Sequence, residues 1–156
     1  NMLGPMVNPS FPKNQIVGVF NLELQRIYGY LYQNTDKNYS IVHAIDGYDE
    51  ISLTGNTKII SNKTETMLSP SDLNVDEIKQ SEIFGGSTVK AAAKIFKTII
   101  KGKGTDAQNN VVYANAGLAI ATVKGISHQD GFQLAKESLE SGRAKVSLER
   151  LIELSK

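Results

Sequence analysis

The chain contains no cysteine, and only two histidines occur among its 156 residues. Without cysteine there is no disulfide framework and no thiolate metal site. His43 and His128 stand far apart in sequence, so a histidine-based metal centre would need ligands from elsewhere. An excess of one charge is missing too. Seventeen basic residues face sixteen acidic ones, for a net charge of +1, and the lysines are spread along the chain. That pattern offers nucleic acid no basic face, so no nucleic-acid partner is expected. No apolar run approaches the length of a bilayer span, and no basic segment followed by an apolar stretch marks a secretory leader. No membrane association is expected, and cytoplasmic residence is the simplest expectation.

What is present suits a soluble globular domain with a core of its own: 40% apolar residues and 21% charged ones. The run "QIVGVF" (Gln15 to Phe20) is β-branched and apolar nearly throughout, as a strand buried on both faces would be. Asn21 is placed to cap a helix whose apolar positions Leu24, Ile27, Tyr28 and Leu31 recur at helical spacing. "YSIVHAI" follows as a second buried-strand candidate, which makes a βαβ unit with a parallel pair. "TKIIS" and "TETMLS", separated by "NKT", read as a hairpin.

The second half is helical in character. "STVKAAAKIFKTII" is amphipathic, and Thr105 with Gln108 makes a capping-box pattern for a helix that Gly125 ends. Ser127 repeats the capping scheme, and a last helix would present Leu148, Leu151 and Ile152 on one face. The expected class is α/β: an open, largely parallel sheet with flanking helices and a helical C-terminal run.

Four stretches are candidates for chemistry. "KGKGTD" (Lys101 to Asp106) and "FGGS" (Phe84 to Ser87) place glycines before helices, where phosphate could bind. The first lacks the spacing of a nucleotide-binding loop, and both are sufficiently explained as turns. His43 is either a hydrogen-bonded histidine at a strand end or a residue near a ligand at the sheet's carboxyl edge. "DGYDEIS" (Asp46 to Ser52) is more informative, because it should form the loop at that edge and holds three carboxylates. Asp49 and Glu50 can converge in a loop, and two hard oxygen ligands with room for water suit Mg²⁺ held partly by substrate phosphates. A solvated acidic loop is the other reading of the same residues.

Two stretches together carry a family pattern. "NMLGPMVNP" at the start of the chain, with "DGYDEIS" and the following "TGNT", resembles the anthranilate phosphoribosyltransferases of tryptophan biosynthesis. The tail "AKESLESGRAKVSLERL" is similar to that family's C-terminal end, and the likeness runs along the whole chain. Ala44 and Tyr48 depart from the glycine and leucine usual at those places.

The resemblance implies transfer of the phosphoribosyl group from phosphoribosyl pyrophosphate to the amine of anthranilate, with release of pyrophosphate. It implies Mg²⁺ as cofactor, with Asp49 and Glu50 as metal ligands. Gly4 and Pro5 would line the anthranilate pocket, and Asn1 and Asn8 share their motif without an assigned contact. No residue is assigned as a catalytic acid or base. A homodimer is expected of the full-length family member. The family's GTGGD-type and KHGN-type segments occur nowhere in the chain, so residues 1–156 are expected to be the C-terminal part of the α/β catalytic domain. The helical N-terminal domain and the pyrophosphate loop would lie upstream, and the chain alone is expected to be inactive. Two alternatives are a pyrimidine nucleoside phosphorylase-like relative and a non-catalytic anion-binding domain of the same fold.

Overall fold

The computed structural model describes residues 4–156. Strand β1 (Asn14–Gly18), helix α1 (Leu22–Tyr32) and strand β2 (Asn38–Ala44) form the expected βαβ unit. The two strands run parallel, with Asn14 opposite Asn38 and Gly18 opposite Val42. Strands β3 (Thr57–Ser61) and β4 (Glu65–Leu68) follow antiparallel, and the sheet order is β1-β2-β3-β4.

The sheet is therefore mixed, which corrects the expectation of a largely parallel one. The hairpin at Asn62 and Lys63 accounts for the β3–β4 pair: a connection that short permits only an antiparallel return, whereas a parallel one needs a crossover of a dozen residues or more. Lys58 and Glu65 form a diagonal ion pair across this hairpin at 2.6 Å.

Strand β2 is buried on both faces from Tyr39 onward, as its composition suggests. Tyr39 and Ile41 enter a cluster with Val17, Val19, Leu24, Tyr28 and Tyr32 on the α1 side. Val42 joins a second cluster on the opposite side, and Ser40 reaches Thr122 there at 2.8 Å. Strand β1 differs from expectation. It is the outermost strand of the described sheet, and Ile16, with Phe20 just beyond the strand, stays exposed.

Helix α1 begins where expected, with the Asn21 side chain accepting from the Leu24 amide at 2.8 Å. Its inner face is not the expected one. Leu24, Gln25, Tyr28 and Tyr32 point inward, while Ile27 and Leu31 are exposed. Gln25 explains the rotation. It is fully buried, and its Nε2 donates to Ile41 O at 2.9 Å and Lys58 O at 2.8 Å, bridging β2 and β3.

Four further helices follow: α2 (Val89–Ile99), α3 (Asp106–Lys124), α4 (His128–Glu140) and α5 (Arg143–Leu154). Thr105 and Gln108 close the capping box on α3, Gly125 ends it in the left-handed conformation (φ 67°), and Ser127 caps α4. Helix α3 covers the sheet face opposite α1, with α4 packed on it. Their backbones nearly touch: a Cβ on Gly117 would lie 2.6 Å from Phe132 N, and one on Gly131 would lie 2.2 Å from Gly117 O. The apolar face expected of the last helix is not buried, since Leu151 and Ile152 on α5 are exposed. Among the described residues no helix is long and apolar enough to cross a membrane.

Candidate functional site

The connection from β2 to β3 leaves the sheet at the carboxyl end of the parallel pair, where open α/β sheets hold ligands. It turns at once. Gly47, at φ 106°, donates to Ala44 O at 3.0 Å, and the Ala44 amide donates to Tyr48 O at 2.9 Å. Only glycine adopts that φ without strain. Ile51 and Leu53 then plunge into the core, each 1% exposed, and so fix both the depth and the direction of the loop.

The three carboxylates of this loop have different fates. Asp46 accepts from the Ser52 hydroxyl at 3.4 Å and from the Thr54 hydroxyl, and Thr54 Oγ1 lies 2.8 Å from Ser52 Oγ. Its charge is taken up in closing the loop. Asp49 and Glu50 are exposed, and neither enters the ion pairs of the described residues, which join Lys58 to Glu65, Arg143 to Glu137 and Lys145 to Glu149. Two adjacent, unneutralised carboxylates at a sheet's carboxyl edge can hold a hard cation. No group of three or more His, Asp or Glu side chains placed for a metal occurs among the described residues. A cation on Asp49 and Glu50 would take its remaining ligands from water or a bound anion. That donor set fits Mg²⁺, which keeps waters and binds through one or two carboxylates plus phosphate oxygens.

Two contacts fix the acidic pair. Gly18, at the end of β1, lies directly against it: a Cβ there would fall 2.0 Å from Asp49 O and 3.2 Å from Asp49 Cβ. Asn115 of α3 grips the next residue through its side-chain amide. Its Oδ1 accepts from the Ile51 amide at 2.9 Å, and its Nδ2 donates to Ile51 O at 2.8 Å and to Val111 O at 2.9 Å. Neither residue was a candidate from sequence. Gly18 did leave a signal, an isolated glycine within a β-branched run, which marks close backbone approach. Asn115 left only a polar residue within "YANAGLA".

The other candidates resolve as follows. His43 is buried, and its Nδ1–H donates to Val19 O at 2.8 Å, the strand-end role. Lys101 to Asp106 is a turn, with Gly102 (φ 70°) donating to Ile99 O at 2.7 Å and Lys103 to Thr98 O at 3.1 Å. Gly86, at φ 92°, lies in the left-handed region shortly before α2. Gly4 is exposed and opens a single helical turn, Gly4–Met6, whose Met6 packs against the α1-side cluster. Asn1 and the side chain of Pro5 lie outside the described residues. Asp49 and Glu50 thus lie exposed in the β2–β3 loop, with Gly4 on a separate segment.

Comparison with known proteins bears on this arrangement. The family model described as "Glycosyl transferase family, a/b domain" matches residues 1–145. An anthranilate phosphoribosyltransferase of Flavobacterium psychrophilum is 64% identical over 155 residues, and one of Christiangramia forsetii is also 64% identical. Each alignment covers 99% of this chain and 47% of the relative, so the chain spans about half the length of the curated relatives it matches. Among solved structures, the Saccharomyces cerevisiae anthranilate phosphoribosyltransferase in complex with PRPP and Mg superposes with a TM-score of 0.84 at 26% identity, over 97% of this chain and 44% of that one. The Thermus thermophilus enzyme gives 0.85 at 26% identity, over 96% and 45%. With a parallel strand pair leading into an acidic loop, and a family match over nearly its whole length, the chain belongs to the glycosyl transferase family, a/b domain.

Proposed function

We propose that this chain supplies the acidic-loop portion of an anthranilate phosphoribosyltransferase. The observation that carries the reading is the pair Asp49–Glu50, unneutralised and held at the carboxyl end of β1 and β2, within a chain 64% identical to such enzymes. In the reaction the anthranilate nitrogen attacks the anomeric carbon of phosphoribosyl pyrophosphate. The bond from that carbon to the diphosphate oxygen breaks, the electron pair leaves with pyrophosphate, and the nitrogen sheds a proton to solvent.

Asp49 and Glu50 would hold and orient Mg²⁺, which would supply positive charge against the charge developing on the departing diphosphate. Asp46, Ser52 and Thr54 do separate work, since their mutual hydrogen bonds close the loop and leave the acidic pair outward. Gly4 and Pro5 line the anthranilate side. The amine is already a nucleophile, and no residue of the chain is assigned as a general base.

The test is an assay of the complete protein as its cell makes it, with anthranilate, phosphoribosyl pyrophosphate and Mg²⁺. Turnover that needs the metal and collapses in the double variant Asp49→Asn/Glu50→Gln supports the reading. Turnover indifferent to that variant refutes it. The 156-residue chain assayed alone is expected to give no turnover.

A further inference from the structure

We infer that Gly18 and Asn115 are positioning residues for the metal-binding pair, one setting how closely Asp49 approaches β1 and the other fixing where Glu50 ends. The inference rests on the metal reading of Asp49–Glu50 given above.

Gly18 has an ordinary backbone conformation, so its φ makes no demand for glycine. Space makes the demand. The place a Cβ would occupy already holds the Asp49 carbonyl, with the oxygen 2.0 Å away and the carbon 3.0 Å away. No side chain can be added without moving that peptide, and the neighbour is rigid backbone rather than the end of a flexible side chain. Strand β1 is the floor on which Asp49 rests.

Asn115 acts from the other direction. A side-chain amide presents an acceptor and a donor in the geometry of a peptide group. Here both meet the backbone of Ile51, at 2.9 and 2.8 Å, so α3 pairs with the loop as a neighbouring strand would. The third bond, Nδ2 to Val111 O at 2.9 Å, holds the amide against its own helix and fixes its rotamer. Glu50 is the residue immediately before this clamp, and Asp49 sits on Gly18. The pair is thereby suspended between β1 and α3, while its own side chains have no hydrogen-bond or ion-pair partner among the described residues. Metal ligands depend on such supporting contacts, whose loss typically costs about 10–100-fold in metal affinity.

The experiment uses the complete protein with Mn²⁺ as a spin probe, titrated by electron paramagnetic resonance without substrates, and records melting temperature alongside. The variants are Gly18→Ala, Asn115→Gln and Asn115→Ala, with Asp49→Asn as reference and Gly102→Ala as a distant glycine control. Asn115→Gln keeps the amide but lengthens it by one methylene, so it moves the loop more than it unfolds it. Gly18→Ala and Asn115→Gln are expected to weaken Mn²⁺ binding about tenfold, Gly18→Ala with a lowered melting temperature because its Cβ meets rigid backbone and Asn115→Gln with one nearer the parent's, while Gly102→Ala binds Mn²⁺ as the parent does. Should Asn115→Ala not fold, the other two carry the test. Parent-like Mn²⁺ affinity in both, with Asp49→Asn impaired, overturns the positioning role and leaves the metal reading standing. Parent-like affinity in Asp49→Asn overturns the metal reading and this inference together.

Discussion

Two connections in this protein carry the residue types of an anion or cation site, and they are held in opposite ways. The α2–α3 turn, with Gly102 and Gly104, is closed by bonds to its neighbours: Gly102 and Lys103 donate to Ile99 and Thr98, and Asn109 Nδ2 donates to Gly104 O five residues away. The β2–β3 loop is held from far off, by Asn115 across a separation of 64 residues and by the backbone of β1. A connection that only has to reverse the chain is sufficiently fixed by local hydrogen bonds. One that must present charged groups at a set place needs restraint from independent elements, because local bonds would consume the groups it presents. Asp46 shows that consumption within the same loop.

The largest effect expected from this contrast is on catalysis. On the proposed function, Asp49→Asn with Glu50→Gln in the complete protein should lower kcat/KM by about 100-fold or more, roughly 3 kcal/mol of transition-state stabilisation. The melting temperature should hold or rise, because neither carboxylate supports the fold. A steady-state assay beside a thermal melt reads both, and a fall in stability without a fall in rate would erase the distinction between loop and turn.

Next comes Asn115→Ala, which leaves the Ile51 N–H and C=O without their partner and should cost about 2–3 kcal/mol in a urea titration. Gly102→Ala should cost less, about 1–2 kcal/mol for a Cβ in the left-handed region, with metal dependence untouched. If Gly102→Ala also moved the Mg²⁺ requirement, the turn would have to be reckoned part of the site.

The smallest effect concerns pH and the α3–α4 junction behind Asn115. His128 Nε2–H donates to Ala114 O at 2.8 Å, its buried Nδ1 has no partner among the described residues, and burial holds its pKa below the ordinary histidine value. The unfolded chain therefore binds the proton more readily than the folded one. Stability is full above about pH 6.5, the unfolded value, and falls as pH drops below it toward the folded value. Equilibrium unfolding across that window should show the slope, and His128→Asn should flatten it.

Local chemistry was the legible part of this molecule. The caps at Asn21, Thr105 and Ser127 and the hairpin at Asn62–Lys63 depend on residues a few positions apart, and each stands where the sequence places it. Features that depend on what lies alongside were not legible. A β-branched run reads the same in a central strand and at an edge, so the exposure of Ile16 could not be seen. Helical spacing favoured Ile27 and Leu31, but a buried glutamine serving two strand carbonyls turned α1 instead. The acidic pair could be found as a pattern and given a role through its resemblance to a family. Its supports could not, because Asn115 has no chemical signature apart from the loop it grips.

The near-contact of Gly117 and Gly131 bears on how this loop could be transplanted. Asn115 lies two residues before Gly117 on α3, and the glycine contact sets the height at which α3 rides on α4. Grafting "DGYDEIS" onto another α/β scaffold would carry over the acidic pair without its registration. The portable module is the loop together with the end of β1, the middle of α3 and the first turns of α4, a unit discontinuous in sequence and contiguous only in space.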